Sequence, residues 1–184
     1  MNIEPKHEAG DVSADRKHSE GVPLEKNAPA PAFRLKKILV PTDFSKSSAK
    51  ALDYALAFAK QSQAEIILLH VVEPISYPMY GQELAVDLSG FQADLAEASR
   101  KRLAKFSQEQ AAGQGPLKLL ISEGGASWEI VETAKAEDAD LIIISTHGHT
   151  GLRHALLGST AERVVQHAPC PVLTVREKEH EFLR

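Results

Sequence analysis

Five short apolar runs recur along the chain, in "KKILVPTDF", "AEIILLHVVEP", "PLKLLISEG", "ADLIIIST" and "VLTVR", with helix-like stretches between them. A strand with one wet face alternates apolar and polar residues. These runs are continuous instead, so each must be buried on both faces. A parallel sheet covered by helices on both sides meets that demand. The fold expected is therefore an open five-stranded parallel α/β sheet of Rossmann-like type. Right-handed crossovers leave few topologies for it.

The intervening stretches carry helical spacing. Ala49, Leu52, Leu56 and Ala59 form one stripe, with Ser45 as its N-cap. A longer pattern runs from about Glu83 to Ala112, with Leu84, Leu88, Phe91 and Leu95 on one face, and Gly113 and Gly115 stop it. Ser127 to Glu137 places Ile130, Val131 and Ala134 inward. Ala161, Val164, Val165 and Ala168 make a last face, ended by Pro169 and Pro171. Ligands of such sheets bind outside the carboxyl ends of the strands. The first and fourth runs deliver "PTDF" and "STHGHTG" to that same edge.

Residues 1–34 are polar and proline-containing and read as a disordered tail; "NAPAPAF" leads into a domain over 35–177, and 178–184 form a short C-terminal tail. Hydrophobic residues are 43% and aromatics only 5%, so the core is aliphatic. A net charge of −4 argues against a nucleic-acid binder. The single cysteine, Cys170, permits no internal disulfide. No apolar run reaches membrane-span length, and the N-terminus lacks the apolar stretch of a secretory signal. A cytoplasmic protein is expected.

The segment "STHGHTGLRHALLGST", Ser145 to Thr160, concentrates the chemistry. A metal site is disfavoured, because His147, His149 and His154 have no companion CxxC or HExxH pair. No G-x-S-x-G elbow supports a nucleophilic serine. An anion site fits better. Gly148 and Gly151 let backbone approach a ligand, Gly158-Ser159 precedes a helix, and Thr146, Thr150, Ser159 and Thr160 add hydroxyls. The Walker lysine is absent. Structural roles account for the same residues: Ser159 and Glu162 form an S-x-x-E capping box, and the glycines serve turns. Taken alone, the segment leaves turn and phosphate site evenly matched.

The pieces "KKILVPTDFS", "ILLHVVEP" and "DLIIISTHGHTGLRHALLGSTAERVVQHAPCPVLTVR", with βαβ spacing between them, resemble the universal stress protein family over about Lys36 to Arg176. Its nucleotide-binding members carry G-x2-G-x9-G-[ST]. Gly148, nine residues and Gly158-Ser159 match, while Ser145 replaces the first glycine. The resemblance implies strand order 3-2-1-4-5, as in adenine nucleotide alpha hydrolase-like folds. It also implies ATP with a nucleotide-borne Mg²⁺ or Mn²⁺. Asp43 would meet the ribose, Pro41 and Thr42 the adenine, and Val71 the base through its backbone. Thr146, His147, Gly148, His149, Thr150 and Gly151, with Ser159 and Thr160, would hold the phosphates. A homodimer through Val172 to Val175 is implied too, an apolar edge strand being a surface for pairing. The competing expectation is that "EKEHEFLR" folds back over that edge.

Three functions follow as expectations. The first is a dimeric ATP-binding stress or signalling module with little or no hydrolysis. The second, motivated by Ser145, is a non-nucleotide-binding protein of the same fold that regulates a partner by contact. The third is an ATPase or phosphotransferase using His147 or His149.

Overall fold

The computed structural model describes residues 34–74, 89–114, 117–146 and 157–178. The N-terminal tail, the last six residues and the segment from His147 through Gly151 lie outside the described residues, and with them the expectations placed there. In chain order come β1 (Lys37–Pro41), α1 (Lys46–Ser62), β2 (Glu65–Val72), α2 (Ser89–Gln110) and β3 (Lys118–Glu123). Then follow α3 (Ala126–Ala136), β4 (Leu141–Ser145), α4 (Ser159–His167) and β5 (Val172–Val175). The sheet is ordered β3-β2-β1-β4-β5 and every pairing is parallel.

The continuous apolar runs are explained by two cores. Ile38 and Val40 of β1, Ile66 and Leu68 of β2 and Ile143 of β4 face α1 and α2, where Leu52, Tyr54, Leu103 and Phe106 meet them. The alternate residues Leu39, Ile67, Leu69, Ile142 and Ile144 face α3 and α4, against Ile130, Ala134, Ala161 and Val164. Strand residues alternate faces, and here both faces are dry. Each such buried aliphatic contributes about 1.5–3 kcal/mol. Exposed ion pairs such as Lys101–Glu97 and Lys105–Glu109 are worth about 0–1 kcal/mol each. The two aliphatic layers therefore dominate the energetics.

Several helix faces differ from their sequence reading. On α1 the deepest residues are Ala51, Leu52, Tyr54 and Ala55, while Ala49, Leu56 and Ala59 flank them. The stripe is wider than the spacing implied because α1 lies over the sheet's middle. On α2 the buried line is Ala96, Ser99, Leu103 and Phe106, one residue round from Leu95. Leu84 and Leu88, and the side chain of Phe91, lie outside the description. Val165 is 47% exposed rather than inward, since Ala161 and Val164 already fill the contact of this nine-residue helix with the sheet.

At the amino edge, the Asp140 carboxylate accepts from the backbone N–H of Lys36 (2.7 Å) and of Lys37 (2.9 Å). Those two bonds hold its pKa below the ordinary carboxylate value. They lock the start of β1 to the turn entering β4. Among the described residues no helix is long and apolar enough to cross a membrane.

Candidate functional site

A cleft of about 590 Å³ opens at the carboxyl ends of β1, β2 and β4, beside the first turns of α3 and α4 and one side of α2. Its size falls in the range of small-molecule sites, about 300–1,000 Å³. Pro41, Thr42, Asp43, Val71, Ser145, Thr146, Gly158, Ser159 and Thr160 all line it. They come from three parts of the chain, joined by the switch in strand order between β1 and β4. His147, Gly148, His149, Thr150 and Gly151 lie outside the described residues.

The β1–α1 corner is built from its own side chains. Thr42 is buried; its Oγ1 stands 3.0 Å from Ser48 Oγ and accepts the N–H of Phe44 at 3.0 Å. Asp43 Oδ1 accepts the N–H of Ser45 at 3.0 Å, an Asx-type turn. Ser45 then caps α1 by accepting from the Ser48 N–H at 3.1 Å, as its sequence position implied. Between these turns Phe44 takes φ +66°, a left-handed conformation that is costly for a bulky residue.

The β4–α4 corner corrects one expectation. Ser159 is the first residue of α4, not its cap. Gly158 is the N-cap, in extended backbone (φ −71°, ψ 151°), and has no side chain of its own to cap the helix. Its carbonyl accepts from the Glu162 N–H at 2.9 Å, so the capping box with Ser159 does not form. Gly158 donates its own N–H to the Thr146 carbonyl at 2.7 Å, and Thr146 donates to the Val175 carbonyl at 2.9 Å. A Cβ on Gly158 would lie 2.9 Å from the Thr146 oxygen. Glycine is required here for close approach rather than for an unusual φ. The first residues of α4, Ser159 and Thr160, border the cleft.

Two helix starts face the cleft and they are not equivalent. At α3, Glu73 Oε1 accepts the N–H of Ala126 at 3.3 Å. A carboxylate thus already occupies that positive end. At α4 the N-cap is Gly158, which has no side chain to accept there.

Apart from Val71, the β2 and α2 side of the cleft was not read from the sequence. Leu69, His70, Val72 and Glu73 from the β2 end, and Leu95, Ala98, Ser99 and Arg102 from α2, line it with Phe44, Ala126 and Ile130. His70 Nδ1 lies 2.8 Å from the Thr42 carbonyl. A carbonyl only accepts, so Nδ1 carries the proton. Burial, more than any neighbour, lowers the His70 pKa below 6.5; Arg102 adds to this, while the Thr42 bond and Asp43 oppose it. The His70 ring lies 4.3 Å from the Phe44 ring, and the Arg102 guanidinium stands 4.3 Å from the same Phe44 centroid. Phe106 meets Phe44 edge-on at 5.6 Å.

Chemically, the cleft offers an apolar wall (Leu69, Val71, Val72, Ile130), a carboxylate at Asp43 and an anion-receptive helix start at Gly158–Thr160. Among the described residues no three His, Cys, Asp or Glu side chains gather into a metal cage.

The model of the universal stress protein family matches residues 34–176. The chain is 36% identical over 147 residues to the universal stress protein MJ0531 of Methanocaldococcus jannaschii, covering 79% of this chain and 85% of that one. The solved structure of MJ0577 from the same organism is similar at 32% identity and TM-score 0.66, covering 80% of this chain and 100% of that one. A universal stress protein solved in complex with cAMP is similar at 27% identity and TM-score 0.51, over 78% and 98% of the two chains.

Proposed function

The chain belongs to the universal stress protein family, and on that footing we propose that it is an adenine-nucleotide-binding module that signals by occupancy and hydrolyses little or nothing. The observation that carries this reading is the convergence of Asp43, Val71, Thr146, Gly158 and Ser159 on one cleft with a helix start whose N-cap is glycine. A relative of the same fold was solved with cAMP, a phosphorylated adenosine.

The residues fit the ligand. The apolar wall suits a base, the Asp43 carboxylate suits ribose hydroxyls, and the N–H groups of Ser159 and Thr160 suit phosphate oxygens. Glu73 at α3 repels phosphate from the competing helix start. The charged tail is therefore directed toward α4. A triphosphate brings its own Mg²⁺ or Mn²⁺, which screens its charge. Both described carboxylates of the cleft are already held by backbone N–H groups, Asp43 by Ser45 and Glu73 by Ala126. That favours binding over activation of water.

Assembly belongs to the same proposal. β5 is a sheet edge, and Val172, Leu173 and Thr174 are only half-buried on it. A second copy paired there would cover them, making the module a homodimer.

Ser145 favours a second reading. It lines the cleft, half-buried, where the family's nucleotide-binding pattern has glycine. If its Cβ blocks a triphosphate, the chain acts by contact with a partner protein instead. Calorimetric titration with ATP and Mg²⁺ decides between the two. The nucleotide reading expects saturable binding that Asp43→Ala weakens by about ten- to a hundredfold, the scale of a hydrogen bond to a charged group. No heat at high micromolar ATP overturns it.

A further inference from the structure

We infer that His70 is a positioning residue of the cleft: its imidazole suspends the strained Thr42–Phe44 corner from β2 while the same ring lines the cleft, and protonation of that ring weakens adenosine binding. The inference rests on the nucleotide reading of the cleft.

The corner is held by other elements as well as by its own side chains. Phe44 holds φ +66°, a strained conformation that persists only where surroundings enforce it. Three groups from other elements do so. His70 donates Nδ1–H to the Thr42 carbonyl at 2.8 Å and packs on the Phe44 ring at 4.3 Å. Arg102 of α2 stands over the same ring, and Phe106 of α2 meets it edge-on. Of these only His70 also grips the backbone between Pro41 and Asp43.

The same ring lines the cleft. With Nδ1–H committed to Thr42, a second proton adds at Nε2 and creates a cation. The charges that act on it are Arg102 from α2 and Asp43 from the β1–α1 corner; Glu73, just past the end of its own strand, lines the same cleft and accepts the Ala126 N–H. Arg102 opposes the imidazolium and Asp43 favours it. Burial already holds the His70 pKa down. An uncharged base seated in the cleft removes further water from the ring and disfavours the imidazolium again. By linkage, protonation then opposes binding.

Adenosine is the probe, because it has no phosphate to titrate in the same window. Its affinity for the full chain is measured from about pH 8 to about pH 5, for the parent, His70→Asn and His70→Leu. The Asn amide presents an N–H near the Nδ1 position and does not titrate. The parent is expected to lose roughly tenfold in affinity on acidification, as for one unit of pKa shift on binding. His70→Asn is expected to bind with a flat pH profile and to recover much of the affinity that His70→Leu loses at every pH. Imidazole ¹⁵N shifts of the ligand-free parent are expected to show the Nδ1–H tautomer. A flat parent profile, or the parent's profile retained in His70→Asn, overturns the inference. If the parent binds neither adenosine nor ATP at about pH 8, the nucleotide reading falls and the linkage falls with it. An Nε2–H tautomer in the ¹⁵N shifts overturns the positioning role by itself.

Discussion

Gly158 donates its backbone N–H to the carbonyl of Thr146 at 2.7 Å, and nothing larger than hydrogen fits on its α-carbon, because a Cβ would lie 2.9 Å from that oxygen. This contact ties the end of β4 to the start of α4 and sets where the helix's first N–H groups point.

Gly158→Ala therefore forces backbone against backbone. The expected cost is about 1–3 kcal/mol of stability, the usual range for overpacking, read from urea midpoints. ATP affinity is expected to fall further than that of a distant variant of equal instability. An alanine variant with parental stability and affinity would contradict the role given to this contact.

Ser145→Gly restores the pattern of the family's nucleotide-binding members. Glycine inside a strand costs about 0.5–1 kcal/mol, so a slightly less stable protein is expected. Its ATP affinity is expected to rise roughly threefold to tenfold, the scale of ~1 kcal/mol, in calorimetric titration. Unchanged affinity would show that Ser145 leaves the triphosphate its room.

Acid stability should carry the signature of His70. Its folded-state pKa lies below the ordinary 6.5. As pH falls through about 6.5, the unfolded chain takes up a proton that the folded protein resists. Stability is thus present above that pH, is lost on acidification, and levels off below the folded pKa. Urea midpoints across this range are expected to fall for the parent and to fall less for His70→Asn. Asp140 acts in a separate, lower window. Its folded pKa lies below 3.8, so its contribution is lost only as pH falls from about 3.8 through the folded value.

Thr174→Pro tests the edge. The Pro171 and Val175 carbonyls accept from Ile142 and Thr146 of the β4 side. Parallel pairing alternates, so the Thr174 N–H points to the free edge. Proline there is tolerated by the β4–β5 ladder but removes a donor for a second copy. Sedimentation is expected to show a dimer for the parent and a monomer for this variant. A parent that sediments as a monomer would refute pairing through β5.

The sheet was legible because its strands obey a rule that burial imposes. Leu39 and Val40 face opposite layers, and both are fully buried, so neither position tolerates a polar residue and the run is unbroken. The β1 and β4 halves of the cleft were legible for a related reason: Asp43 lies just past the first run, and Gly158 directly precedes the helix that follows the fourth. The α2 wall was not. Ser99 and Arg102 reach the cleft only through the way α2 crosses the end of β2, a tertiary fact with no local spacing to signal it. His70 sat in view but read as strand. The S-x-x-E pattern misled at Ser159 because cap identity depends on which residue turns extended. Here the approach to Thr146 gives that place to Gly158.

The central claim is that this cleft holds adenine nucleotide. Native mass spectrometry of the gently purified full chain, followed by addition of ATP and Mg²⁺, tests it most directly. The account predicts one adenine nucleotide per chain in the parent and a marked drop in occupancy for Asp43→Ala. A chain that remains bare at high micromolar ATP would contradict it.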